Sequence, residues 1–179
     1  LGTHYGLFEY YGNPDATHVV VAMGSVCETI KEYLDTVREL PYGLICVHLY
    51  RPFSVTHFTA CLPDTATQVT VLSRTKEPGA PGEPLYLDVA AALLQSGRTY
   101  RIFSGRYGLS SRDTTPAQID AVFSNTRKSI FTVGIEDDVT HLSLSVPAPS
   151  ETVPGNTAAA VSDSSHTSHT ISCKFWGLG

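Results

Sequence analysis

The sequence predicts a layered α/β fold: a three-layer α/β/α sandwich around a mostly parallel five-stranded sheet. Three observations predict it. Five short apolar runs have the length and β-branched content of strands buried on both faces. Stretches with helical spacing and capping residues lie between them. The connections are too long for hairpins, so successive strands are expected to run parallel through crossovers.

The first strand is His18 to Met23 (HVVVAM). Ser25 then stands where it would cap a helix, and Val26, Ile30, Tyr33, Leu34, Val37 and Leu40 recur on one side until Pro41 stops it. The second strand is Leu44 to Tyr50. Ser54 caps a short helix that turns Val55, Phe58 and Leu62 inward and ends in proline. The third strand is Gln68 to Ser73, and the next helix opens at Pro84, buries Leu85, Val89 and Leu93, and closes at Gly97. The fourth strand is Thr99 to Ser104. Thr115 as cap, Pro116 at the first helical position and Gln118 three after the cap predict a capping box, with Ile119, Val122 and Phe123 facing inward. The fifth strand is Ile130 to Ile135.

The chain has 179 residues, enough for one domain with a tail. Hydrophobic residues make up 42% and charged residues 16%, as in a soluble globular domain. A net charge of -5 without clustered Lys and Arg argues against a nucleic-acid partner. No apolar run approaches the roughly 20 residues of a membrane-spanning helix. Cys27, Cys46, Cys61 and Cys173 show no C-x-x-C spacing and read as free thiols in a reducing compartment. Residues 1–12 read as an incoming inter-domain connection and 13–144 as the α/β domain. Residues 145–170, rich in Ser, Thr, Ala and Pro, read as a flexible linker, because they hold too little apolar surface to offset the entropy of ordering. Residues 171–179 (ISCKFWGLG) read as the start of a further domain. With Leu1 first, the only methionine at Met23 and no leader pattern, the chain reads as an internal piece of a longer product.

Several constellations invite chemistry. The turn at Gly24 and Ser25 is placed to hold an anion at a helix N-terminus, but without a G-x-G-x-x-G or P-loop pattern an ordinary strand-to-helix turn is preferred. Arg74, Lys76 and Glu77 lie in a Pro/Gly-rich loop after a strand end. That loop is either an inter-domain or ligand contact, or a solvated stretch with weak ion pairs. Arg106 and Arg112, with a dense hydroxyl cluster, suit a phosphate or carboxylate, or belong to a well-capped connection. Asp137 sits between Glu136 and Asp138, yet nothing else in the sequence completes a metal shell. His166 and His169 have a metal-like spacing of three inside the low-complexity tract. No serine elbow, Cys-His dyad or paired carboxylates are identifiable, so an independent active site is not expected.

Read in order, YYGNPDATHVVVAMGSVCETIKEYLD, LYRPFS, RTKEPGAPGEPLYLDV, GRYGLSSRDTTPAQ, FTVGIEDDVTHLSL and ISCKFWGLG resemble consecutive stretches of pyruvate:ferredoxin and pyruvate:flavodoxin oxidoreductases. The resemblance covers nearly the whole chain outside the linker. It implies the family's second domain, similar to the C-terminal domain of transketolase, with Thr3 to Tyr11 leading in from a thiamine-binding domain. The activity it implies for the parent is oxidative decarboxylation of pyruvate to acetyl-CoA and CO2, with electrons passed to ferredoxin or flavodoxin. The parent's thiamine diphosphate, Mg, 4Fe-4S clusters and coenzyme A are implied too. The family's thiamine-binding residues and cluster cysteines lie in other domains, so no catalytic residue carries over and this segment is expected to bind none of these cofactors by itself. KFWGLG looks like the start of a glycine-rich loop on the coenzyme A side, which makes Gly177 and Gly179 candidate cofactor-binding positions.

On this resemblance Arg74, Lys76, Glu77, Arg106, Arg112 and Asp137 are expected at inter-domain contacts. The expected partners are the other domains of the same chain, a second copy in a homodimer of the parent, and ferredoxin or flavodoxin as its electron acceptor. The expected compartment is the cytoplasm, or a hydrogenosome or mitochondrion in a eukaryote. Family members join GIEDDVTHLSL to SCKFWGLG by a shorter segment, so the Ser/Thr/Ala-rich stretch reads as an insert, either a lineage-specific linker or a translated intron. The alternative is a non-catalytic scaffold domain of a multidomain flavoprotein, such as a sulfite-reductase-like or NADP-linked fusion; flanking thiamine-binding and ferredoxin-like cysteine motifs, or flavin and NADP modules, would separate the two.

Overall fold

Among the described residues six strands build the sheet, one more than the apolar runs announce. In the computed structural model, which describes residues 5–135 and 140–146, these are β1 (Phe8–Gly12), β2 (His18–Ala22), β3 (Tyr42–Val47), β4 (Gln68–Ser73), β5 (Arg101–Tyr107) and β6 (Ile130–Val133). They lie in the order β1-β3-β2-β4-β5-β6. All neighbours from β3 to β6 are parallel; β1 alone is antiparallel, running from Phe8 opposite Val47 to Gly12 opposite Gly43. The strand count of five is thus corrected to six. β1 lies in the stretch read as a connection, and FEYYG escapes notice because it has no β-branched residue. It is an edge strand with Phe8 buried, Glu9 exposed, and Tyr10 and Tyr11 half-buried against the two core layers.

The central strands behave as continuous apolar runs should. Val19, Val20 and Val21 are all inaccessible to solvent, because α1 (Val26–Thr36) and α4 (Pro116–Ser124) cover one face and α2 (Val55–Ala60) and α3 (Pro84–Gln95) the other. Ile30, Val122 and Phe131 fill the first core layer; Phe58, Val89 and Leu93 fill the second. Each such side chain contributes about 1.5–3 kcal/mol through burial.

α3 and α4 each carry the chain one strand further in the same direction, from β4 to β5 and from β5 to β6, yet they pack on opposite faces. Those two crossovers are therefore of opposite hand. α1, α2 and α3 share one hand, and the last crossover departs from the usual uniformity of such folds.

α2 and α4 start with side-chain cap bonds, α3 opens at Pro84 without one, and α1 departs from expectation. Thr115 accepts the Gln118 N–H while the Gln118 side chain accepts the Thr115 N–H, the expected capping box. Ser54 accepts the His57 N–H. Ser25, expected to do the same for α1, makes no side-chain cap bond and is itself in helical conformation. α1 also ends at Thr36, four residues short of the expected Leu40, since residues 37–41 turn to place Tyr42 and Gly43 in β3. Conversely β5 runs on through Gly105 to Tyr107, three residues past its expected end.

His18 at the start of β2 is 6% exposed. One ring nitrogen, Nε2, lies 2.8 Å from Thr70 Oγ1 and the other, Nδ1, 3.2 Å from the Phe123 carbonyl. The ring meets Phe123 edge-on at 5.1 Å, and Phe123 in turn stacks on Tyr33 and Tyr42. Burial pushes the His18 pKa down to about 4. Cys27, Cys46 and Cys61 are free thiols, the first two buried on the α1 face and the third packed on the opposite face.

Candidate functional site

The carboxyl ends of β2, β4 and β5 meet where the strand order reverses. β2 hands the chain to β3 on one side and receives β4 on the other, so α1 and α3 leave for opposite faces and a crevice opens between their N-termini. A cavity of about 450 Å³ occupies this crevice, with Gly24, Ser25, Ser73, Arg74, Leu85 and Tyr107 among its walls. A second cavity of about 300 Å³ shares Ser25, Arg74 and Tyr107 and is bounded further out by Arg112.

One buried carboxylate sets the shape of this edge. Glu83, at the cap position of α3, is 1% exposed. Its Oε2 accepts the backbone N–H of Glu77 at 2.8 Å, and its Oε1 accepts Arg106 Nε from β5. The Pro/Gly-rich loop is therefore closed on itself and tied to the sheet. Between the ends of the neighbouring strands β4 and β5, Arg74 Nε donates to the Gly108 carbonyl at 3.0 Å. Gly108 has φ +59, and a Cβ there would sit 3.2 Å from Arg74 Nε, so both the turn and the close approach ask for glycine. Ser110 and Ser111 follow at φ 58 and 56. Left-handed serines cost of order 1–3 kcal/mol each and concentrate in loops whose shape matters.

On the α3 side, Tyr50 donates to Asp88 Oδ2 at 2.7 Å, and the same oxygen pairs with Arg51 Nη1 at 2.7 Å. Burial first, then that bond, pushes the Tyr50 pKa up to about 12. Burial likewise raises the Tyr107 pKa. Both phenols remain protonated donors at neutral pH.

Of the residues singled out in the sequence, Arg74, Arg106 and Arg112 are brought to this edge, with Lys76 and Glu77 exposed on the adjoining loop. Arg106 faces inward to Glu83 rather than outward. Asp137, Gly177 and Gly179 lie outside the described residues, as do Glu136, Asp138, Cys173, His166 and His169. Glu83 and Ser73 were not singled out. For Glu83 a signal existed: an acid directly before a helix-opening proline occupies the cap position. For Ser73 there was none, because a serine closing a strand is ordinary.

A larger depression of about 550 Å³ lies at the opposite edge, around Asn13 and Asp35. Its polar groups already pair with one another: Tyr11 and Arg38 both bond Asp35, and Asn13 bonds the Leu40 carbonyl. Among the described residues no group of three or more His, Cys, Asp or Glu side chains is placed to hold a metal ion. No described helix is long and apolar enough to cross a membrane.

Comparison with known proteins gives consistent matches. A family model described as pyruvate:ferredoxin oxidoreductase core domain II matches residues 16–119. The chain is 46% identical over 184 residues to the pyruvate:ferredoxin oxidoreductase of Moorella thermoacetica, covering 99% of this chain and 15% of that protein. It is 46% identical over 184 residues to the pyruvate-flavodoxin oxidoreductase of Klebsiella pneumoniae, again covering 99% and 15%. A pyruvate-flavodoxin oxidoreductase of a Nostoc species is 52% identical over 151 residues, with 80% of this chain and 37% of that protein covered. The chain thus spans about 15% of the length of the first two relatives.

Proposed function

Because the chain belongs to the pyruvate:ferredoxin oxidoreductase core domain II family, we propose that it organises a larger enzyme without holding that enzyme's reacting groups. The parent activity on this reading is oxidative decarboxylation of pyruvate to acetyl-CoA and CO2, with electrons delivered to ferredoxin or flavodoxin. Both acceptors occur in the names of the relatives. The segment's partners are the other domains of its own polypeptide and, in a homodimer, a second copy.

Thiamine diphosphate with Mg, iron-sulfur clusters and coenzyme A would serve that reaction. The described thiols do not fit a cluster. Cys27 and Cys46 sit buried on one face of the sheet and Cys61 packs on the other, so these thiols cannot converge on a cluster. No step of the reaction is assigned to this chain.

The observation that carries the organising role is how Glu83 is used. Its buried carboxylate holds the Arg74–Glu83 loop in one posture through the Glu77 N–H and Arg106, which leaves Lys76 and Glu77 presented outward at fixed positions. Rigid, polar, Gly/Pro-rich loops at strand ends are suited to inter-domain contact. Arg74 and Arg112 border the same surface. Asp137, Gly177 and Gly179 keep their expected roles as part of this proposal.

The test is a Lys76→Glu/Glu77→Lys exchange in the full-length polypeptide, read by native mass and by pyruvate-dependent dye reduction. These exposed side chains should change the segment's own stability by less than about 0.5 kcal/mol. The fraction of assembled, active enzyme should fall clearly. Unchanged assembly and activity would remove the contact assignment, and pyruvate turnover by the 179-residue chain supplied with cofactors would remove the organising role.

A further inference from the structure

The crevice between β2 and β4 carries an inference that does not depend on the family reading. Arg74 is the single charged residue of its lining, and none of the ion pairs among the described residues includes it. Of the acids beside the crevice, Glu83 is matched by Arg106 and Asp88 by Arg51, Glu77 lies exposed on the loop, and Asp113 is exposed on the wall of the adjoining cavity, next to Arg112 in the chain. α1, of 11 residues, and α3, of 12, begin at the crevice from opposite faces, and their N-terminal dipoles add to its positive character.

A second observation is independent of charge. Ser73, a wall residue, is 2% exposed, and its Oγ is the one buried side-chain polar atom among the described residues without a hydrogen-bond partner. By the alternation of β4, Ser73 shares the face of Val69 and Val71, the face on which Tyr50, Pro84 and Leu85 complete the wall. A buried polar group left without a partner is costly, and natural interiors rarely keep one. Apart from Ser25, Arg74 and Thr75, the remaining wall is mostly apolar or aromatic, through Leu72, Leu85 and Tyr107. A concave, mostly apolar space with a few converging polar groups is the usual make-up of a small-molecule site.

We propose that this cavity binds a small organic oxyanion, a carboxylate or a phosphate ester on a flat apolar body, with the anionic group at Arg74 and the Gly24–Ser25 turn. The body lies against Leu72, Leu85 and Tyr107, and a polar substituent meets the Ser73 hydroxyl. Arg74 supplies the charge, the turn supplies backbone N–H groups, and Ser73 selects ligands that carry a second hydrogen-bonding group.

Hydrogen exchange with peptide-level mass spectrometry on the full-length polypeptide tests this, with 4-hydroxybenzoate and 4-nitrophenyl phosphate as probes. At least one probe should slow exchange, saturably and at up to millimolar concentration, in the peptides that cover residues 24–28 and 73–76. Arg74→Gln should weaken that protection at least tenfold, Ser73→Ala several-fold, and Arg74→Lys should keep it within a few-fold. Protection by the benzoate alone assigns a carboxylate ligand, by the phosphate alone a phosphate ester, and by both the shared oxyanion chemistry. Absence of saturable protection with either probe overturns the proposal. Equal protection by uncharged methyl 4-hydroxybenzoate, or protection unchanged in Arg74→Gln, overturns it as well. Enzyme assembly enters none of these readings, so their failure is separable from failure of the organising role.

Discussion

Glu83 at the start of α3 and Arg106 on β5 form an ion pair in which the carboxylate is 1% exposed and its second oxygen accepts the Glu77 N–H. Three segments, the loop, the helix and the strand, are fastened at one point.

Removing one partner of this pair strands a buried charge. Arg106→Ala should lower the unfolding free energy by about 3–5 kcal/mol in urea denaturation. The double replacement Glu83→Leu with Arg106→Met should cost less, since no charge is left buried, although the Glu77 N–H still loses its acceptor at about 1–3 kcal/mol. A cost below about 1 kcal/mol for Arg106→Ala would show that the pair does not fasten the loop.

The buried His18 sets a pH dependence. Its pKa falls from 6.5 in the unfolded chain to about 4 in the fold. Between those values the unfolded state binds the extra proton, so stability is full above pH 6.5 and is lost as pH falls towards 4. The loss from this one group should reach roughly 3 kcal/mol at pH 4, because each tenfold difference in proton affinity between the two states is worth about 1.4 kcal/mol. Urea midpoints between pH 7 and pH 4 should follow this slope, and His18→Gln should flatten it; an equal slope in the variant would assign the effect elsewhere.

Gly105 carries β5 past Phe131. A Cβ at this position would lie 2.5 Å from Phe131 Cζ and 2.7 Å from Leu72 Cδ2. Gly105→Ala should therefore destabilise the fold by about 1–3 kcal/mol through overpacking. Phe131→Leu should be less damaging on the Gly105→Ala background than alone, because the two changes share one space. Additive midpoint shifts in the double variant would contradict this contact.

Much of the architecture could be read along the chain because its causes are local. The capping box of Thr115 and Gln118, the proline that opens α3 and the glycine that follows its end act within one helical turn. Runs such as Val19 to Val21 declare strands buried on both faces without reference to any partner. Edges were harder to place. β1 is a strand because β3 offers a free edge to pair with, and β5 continues through Gly105 because Phe131 on β6 packs against it.

The candidate site divides in the same way. Arg74, Arg106 and Arg112 stood out in the sequence as basic residues after strand ends, where α/β sheets present their working surface. Their separate fates did not: Arg106 turns inward to Glu83, 23 residues away, while Arg74 lines the crevice and bonds the Gly108 carbonyl beyond the end of β5. Ser73 became notable only through the absence of a partner for its hydroxyl. By itself the sequence determined the layered α/β fold, most helix starts and the family, since periodicity, capping and ordered motifs are properties of consecutive residues. The tertiary structure alone decided the sixth strand, the hand of the last crossover and the pairing of the buried charges, since each depends on groups far apart in the chain that meet only when the sheet register is set.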